Sequence, residues 1–131
     1  MKGFVTVADA AQAAPNGKVS VLGACWTTVP EGPSLMSVVS VIRLAPGEEG
    51  KHSLQVRLSR DEDDMEIAQF GGDFTLNRAE NVPQDSPLSS SFAFTFPALA
   101  LSPGTHTWVL EVDSARLDEW PFAVLEATAG A

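Results

Sequence analysis

The chain has one cysteine, no tyrosine, two histidines, and only eight basic residues against seventeen acidic ones. Each shortage excludes something. A single cysteine rules out an intrachain disulfide and any Cys-x-x-Cys redox or zinc pair. Cys25 sits between Ala24 and Trp26 in an apolar run. The expectation is a buried thiol packed as a small hydrophobe, with no neighbouring base to activate it. Two histidines, His52 and His106, cannot form a three-histidine zinc site, and they do not stand four apart. With no Gly-x-Ser-x-Gly elbow to present a nucleophile, both are expected as exposed strand residues. The basic deficit removes the clustered Lys/Arg that phosphate binding needs, so no nucleic acid and no anionic membrane is expected as partner. No run of about 20 apolar residues is present to cross a bilayer as a helix. The N-terminal apolar stretch Phe4-Val5-Thr6-Val7-Ala8 stops at Asp9, short of a secretion signal's core of roughly 7–15 residues. The expected location is the cytoplasm, or a virion if the gene is viral.

What the chain does have is an even rhythm of short apolar/polar runs separated by Gly, Pro, Asn and Asp clusters. At 131 residues, 44% hydrophobic and 19% charged, it suits one globular domain that needs no metal or disulfide. The domain is expected to span residues 1–131, ordered over 3–127 with a tail at 128–131. The runs predict about eight strands: 4–14, 18–26, 35–44, 52–60, 65–76, 88–96, 106–113 and 120–127. Leu54, Val56 and Leu58 alternate with Gln55, Arg57 and Ser59, so one face is buried and one wet. Pro15-Asn16-Gly17 predicts a tight hairpin, because Asn-Gly accepts positive φ at both central turn positions. The strand after it, apolar on both faces, is expected in the middle of a sheet. Val29-Pro30-Glu31-Gly32-Pro33 breaks the chain. Gly71-Gly72 inside a strand predicts a bulge or a close backbone approach. The sum is an all-β fold, a two-sheet antiparallel sandwich of immunoglobulin-like or related Greek-key type.

Little chemistry is laid over this frame. The acidic run Asp61-Glu62-Asp63-Asp64 lacks the glycine and terminal Glu of an EF-hand loop. A solvated turn accounts for it, with calcium as the alternative. Gly71-Gly72-Asp73-Phe74 is similar to the start of the diguanylate cyclase signature, but Thr75-Leu76 departs from it. Trp26, Trp108 and Trp120 and the seven Phe fall in phase with Val and Leu, which assigns them to the core over a sugar-stacking platform. No cofactor and no metal is expected. Charge is lopsided: residues 1–45 carry three basic and two acidic side chains, residues 46–131 five and fifteen. Such a surface keeps a protein soluble and can steer it to a basic partner.

Two segments carry a family likeness. One runs from Ala8-Asp9-Ala10-Ala11-Gln12 through Gly17-Lys18-Val19-Ser20-Val21-Leu22-Gly23 to Trp26. The other is Pro103-Gly104-Thr105-His106-Thr107-Trp108-Val109-Leu110-Glu111-Val112-Asp113, followed by Pro121-Phe122-Ala123-Val124. Together they resemble a family of small uncharacterised proteins of actinobacteria and their phages, known only as a domain of unknown function. The likeness spans Phe4 to about Leu125 and rests on strand and turn residues. It implies a shared sandwich and no active site.

The function expected is therefore non-catalytic: a structural or interaction protein docking on a larger assembly, in particular a phage virion component of the capsid-decoration or tail-accessory kind. Its partners would be capsid or tail subunits, with a homo-oligomer as a further option. Phe4, Val29, Pro30, Pro33, Val82 and Pro83 are the expected contact residues, on the apolar first strand, the Pro-rich break and the loop 77–87. The alternatives are a small-ligand or glycan-binding module and a hydrolase centred on a histidine.

Overall fold

The computed structural model describes residues 1–15 and 17–127 and shows a two-sheet sandwich of nine strands, with no helix among those residues. The strands are β1 (Lys2–Ala13), β2 (Val19–Ala24), β3 (Thr28–Pro30), β4 (Gly32–Leu44), β5 (Gly50–Arg60), β6 (Met65–Leu76), β7 (Leu88–Leu101), β8 (Gly104–Val112) and β9 (Ala115–Leu125). One sheet has the order β2-β1-β4-β7, the other β3-β9-β8-β5-β6. The eight expected strands are all present. The ninth, β3, lies inside the Pro-rich break and pairs in parallel with β9 through Thr28↔Ala123 to Pro30↔Leu125. This three-residue pairing makes the second sheet mixed, where a wholly antiparallel one was expected. A segment so short carries no periodicity of its own.

Alternation places the core. Leu54, Val56 and Leu58 of β5 and Trp108, Leu110 and Val112 of β8 point inward and are buried. They meet Val5 and Val7 of β1 and Met36, Val38 and Ile42 of β4. Each such side chain removed from water contributes about 1.5–3 kcal/mol. The Trp108 indole N–H, fully buried, donates to the Met36 sulfur at 3.3 Å.

Prolines and glycines fall where strand physics tolerates them. β7 continues through Pro97 to Leu101, because Pro97-Ala98 bulges opposite Leu35 on an edge strand, where a missing N–H costs no ladder bond. In β6 the bulge comes at Ile67, not at the glycine pair. Gly71 instead marks a close approach: a Cβ there would collide with the Leu54 carbonyl oxygen. The β8–β9 hairpin turns on Asp113 (φ 52°) and Ser114 (φ 68°), a two-residue loop with both centres left-handed. β9 accordingly begins at Ala115, within the stretch expected to be a turn.

The second strand departs most from expectation. β2 is an edge strand with one neighbour, and Leu22 is 70% exposed. The reason is that β1 divides its pairing. Lys2 to Ala8 bond to β4, while Ala8 to Ala13 bond to β2. β2 and β7 lie three steps apart in the bonded order, about 14 Å in a flat sheet, yet they touch. The hairpin therefore folds back as an arm over the outer face of its own sheet. Thr6, Ala8, Ser37 and Val39, which point away from the core, are buried beneath it. At the arm's root the Trp26 indole N–H is shared between Asp9 Oδ1 (2.9 Å) and the Gly23 carbonyl (3.0 Å). Gly23 holds φ 65°, and any Cβ there would strike the Asp9 carboxylate. At the tip, Gly17 N–H donates to Ala14 C=O at 3.0 Å, and Ala14 N–H to Lys18 C=O at 2.8 Å. Asn16 of the expected Asn-Gly turn lies outside the described residues, as does the tail 128–131.

Candidate functional site

The two sheets close against each other on one side and stay open on the other. On the closed side the first half of β1 abuts β9: the Val5 N–H donates to Asp118 Oδ2 at 2.8 Å. Gly3 permits the approach, since a Cβ there would sit 2.8 Å from Leu110 Cδ2 and 2.9 Å from Leu117 Cβ. On the open side the edge strands β6 and β7 face one another. No hydrogen bond joins them among the described residues; aromatic rings do. Phe70 of β6 stacks on Phe94 of β7 with centroids 5.0 Å apart, and Phe74 meets Phe92 edge-on at 5.2 Å. Such pairs contribute about 0.5–1.5 kcal/mol beyond their burial. Phe94 stays 45% exposed.

Between the two ring pairs lies a slot of about 360 Å³, floored by Leu54 and bordered by Ser91, Asp73 and Ala13 from the arm's tip. Its origin is a missing side chain. On the inward row of β6, Phe70 and Phe74 flank Gly72, which pairs with inward Leu54. A Cβ on Gly72 would meet nothing within 4 Å. A shallower hollow lies around the same glycine pair, lined also by Ser53, Gln55 and Gln69. The phenylalanine spacing of β6 and β7 was visible in the sequence; that the two rows meet across an open seam was not, because it depends on which strands end up at the edges.

The six expected contact residues do not gather there; none of them lines the slot. Phe4 is exposed on the outer face of β1, beside Val41. Pro30 and Pro33 are exposed at the ends of β3 and β4. Val29 belongs to the core, a correction that follows from β3: paired with β9, it turns Val29 inward. Val82 is half-buried, and the Pro83 carbonyl accepts from Arg78 Nη1. Arg78 also bonds Glu49 Oε1 at 2.7 Å and Ser86 Oγ at 3.0 Å, pinning the loop 77–87.

Both histidines also depart from expectation. The His106 side chain is fully buried, stacked on Phe122 at 5.8 Å; its Nδ1 lies 3.1 Å from the Gly104 carbonyl, and its Nε2 has no partner. It points inward in the same row as Trp108 and Leu110. His52 is largely buried where β5 meets the β8–β9 turn. Its Nδ1 lies 2.6 Å from Asp113 Oδ2 and its Nε2 2.7 Å from the Glu48 carbonyl. Both neighbours offer acceptor oxygens, an arrangement that favours the ring with both nitrogens protonated. The Asp113 carboxylate first, then the Glu48 carbonyl, raise its pKa above the usual histidine value. The same contact lowers that of Asp113. A ring with both nitrogens engaged has no free lone pair with which to take a proton from a substrate.

Cys25, expected buried, is exposed at φ 65° in the turn that ends the arm; the Trp26 indole takes the inward place beside it. Trp108 lies in the core as expected, and Trp26 and Trp120 pack partly buried against it. The Trp120 indole N–H is committed to the Trp26 carbonyl at 2.9 Å. The acidic run forms the β5–β6 turn. Arg60 pairs with Asp63 and holds its carboxyl down at about 2, and Asp61 accepts from the Thr107 hydroxyl at 2.8 Å. Among the described residues no three carboxylate, thiol or imidazole groups converge as a metal site, and no helix is long and apolar enough to cross a membrane.

Fold and surface together define an all-β sandwich whose most distinctive feature is an apolar seam between two edge strands. The chain belongs to a family of unknown function, DUF6941, whose family model matches residues 3–125. No curated protein matches the chain.

Proposed function

We propose that the protein is a non-catalytic interaction module that docks on a larger assembly, and that this assembly is a phage particle carrying the chain as a capsid-decoration or tail-accessory subunit. The observation that carries the reading is the open seam. β6 and β7 are long edge strands with no further strand beyond them among the described residues, and aromatic side chains between them remain part-exposed. Unpaired edges are a liability that proteins usually block with charge, proline or a covering segment. Here Pro97 interrupts β7 at its bulge, while along the slot only the arm's tip, through Ala13, borders Ser91 to Phe94, and Phe94 stays exposed. Supporting the non-catalytic part, His52 is committed at both nitrogens and His106 is sunk in the core. The step from assembly to virion rests on the general use of such sandwiches as surface subunits and is an analogy of architecture. In that setting the chain resides in the virion, and in a cellular setting in the cytoplasm.

A small-ligand module is the second reading, favoured by the apolar slot itself. The test separates them. Particles purified from the organism that encodes the gene are analysed by mass spectrometry, and tagged protein is sedimented with them. The docking reading expects the chain at a fixed ratio to the major particle subunit and co-sedimentation at matching stoichiometry. A chain missing from the particles and sedimenting alone overturns it.

A further inference from the structure

We infer that the Gly72 slot is a docking site for an extended, basic segment of another protein, which inserts one aromatic or long aliphatic side chain between the Phe70–Phe94 and Phe74–Phe92 pairs. The inference rests on the docking reading above and names the chemistry of the partner.

Shape is the first argument. At about 360 Å³, with ring pairs at both ends and Leu54 beneath, the slot suits a single large side chain. It is open because Gly72 contributes nothing to the inward row of β6. Backbone is the second. Among the described residues β6 bonds only to β5, so alternate N–H and C=O groups face outward along its other edge. At Gly71-Gly72 no side chain shields them. An incoming strand gains main-chain hydrogen bonds on such an edge and specificity from a pocket for every second side chain. Charge is the third. Asp73 borders the slot, β6 carries no basic residue, and β7 carries no ionisable side chain. Asp73 meets Lys51 at 3.3 Å, but both are more than half exposed, a contact weak enough for a competing cation to replace. The whole chain bears a net charge of −9.

The same facts disfavour a second copy of this chain. A symmetric β6–β6 contact would bring an acidic edge against a second copy of the same acidic edge, with no basic residue on β6 to offset it.

The experiment titrates the isotope-labelled full chain with an acetylated Lys-Thr-Lys-Phe-Thr-Lys-Thr peptide, followed by amide shifts. The expected shifts cluster in residues 68–75 and 91–94. Replacing the peptide's Phe by Ala, or its Lys residues by Glu, weakens binding at least tenfold. Gly72→Val fills the slot and weakens binding at least tenfold while leaving the circular dichroism spectrum unchanged. Should that variant misfold, Asp73→Lys serves in its place: it weakens the basic peptide and strengthens the Glu-substituted one. Equal affinity for wild type and Gly72→Val, shifts mapping elsewhere, concentration-dependent shifts without peptide, or benzyl alcohol binding as tightly as the peptide would each overturn the inference. The two readings fail separately. If the purified particle captures wild type and Gly72→Val equally, the slot is wrong and docking stands. If the peptide fills the slot but the chain never joins a particle, docking on that particle is wrong and the peptide site stands.

Discussion

The two sides of the sandwich solve the same problem in opposite ways. Where β1 meets β9, a glycine lets the sheets approach and a carboxylate, Asp118, takes up the edge N–H of Val5. Where β6 meets β7, a glycine leaves a gap and phenylalanines span it. One glycine, Gly3, is there because a neighbour needs its space; the other, Gly72, has space that no neighbour uses. A closed edge needs polar groups matched one to one, whereas an open one needs only a surface that does not collapse. The difference teaches that the seam is not an unfinished version of the closed side, since the chain shows elsewhere how it seals an edge.

Substitution can break that comparison. Gly3→Val should have the largest effect, because it drives a branched side chain into Leu110 and Leu117; overpacking of this kind costs about 1–3 kcal/mol. Asp118→Ala should cost about 1–3 kcal/mol by leaving the Val5 N–H without its acceptor. Urea unfolding midpoints read both. On the open side Phe94→Ala should cost about 1 kcal/mol, the loss of its ring contacts with Phe70 and Phe96 from a half-exposed residue. A Phe94 loss as large as that of Gly3→Val would mean the seam is ordinary core and the contrast fails.

The neighbouring glycines sharpen it further. Gly71→Ala meets the Leu54 carbonyl and should destabilise by about 1–3 kcal/mol. Gly72→Ala meets nothing and should be neutral or stabilising by about 0.4–1 kcal/mol, through the lost freedom of the unfolded chain. Thermal melts of the two single variants should move in different directions. If Gly72→Ala falls as far as Gly71→Ala, the slot is not open in solution.

Much of this was legible in the sequence, and the exceptions share one cause. Alternation at Leu54–Leu58 and at Trp108–Val112 gave strand, face and core at once, because period two is a local property. Of the two readings of Gly71-Gly72, a bulge or a close approach, the second holds at Gly71, and the bulge lies at Ile67. Val29, Cys25 and β2 were misread because each depends on which strand lies beside it: β3 turns Val29 inward, the arm's turn turns Cys25 outward, and β1's divided pairing strips β2 of a second neighbour. The histidines failed likewise. Nothing in the sequence around His52 announces Asp113, sixty-one residues on, and His106 is polar in a row that the fold buries. The slot combines both kinds of signal: its glycine and phenylalanines are local, their meeting is not.

The smallest predicted effect concerns the imidazolium at His52, which ties β5 to the β8–β9 turn and the β4–β5 turn. Its pKa in the folded chain is raised, so the stability it contributes is fully present below the unfolded value of about 6.5 and is lost as pH rises through the folded value. Asp113 is lowered, so its share is present above the unfolded carboxylate value and is lost as pH falls through the folded one. The pair is therefore strongest in mildly acidic solution, between the two unfolded values. The melting temperature should decline by a few degrees from mildly acidic to mildly alkaline pH. His52→Gln, which cannot carry the charge, should flatten that slope while Phe94→Ala leaves it intact. A slope unchanged in His52→Gln would assign the pH dependence to another group, and would leave the His52–Asp113 contact a hydrogen bond between a neutral ring and a carboxylate.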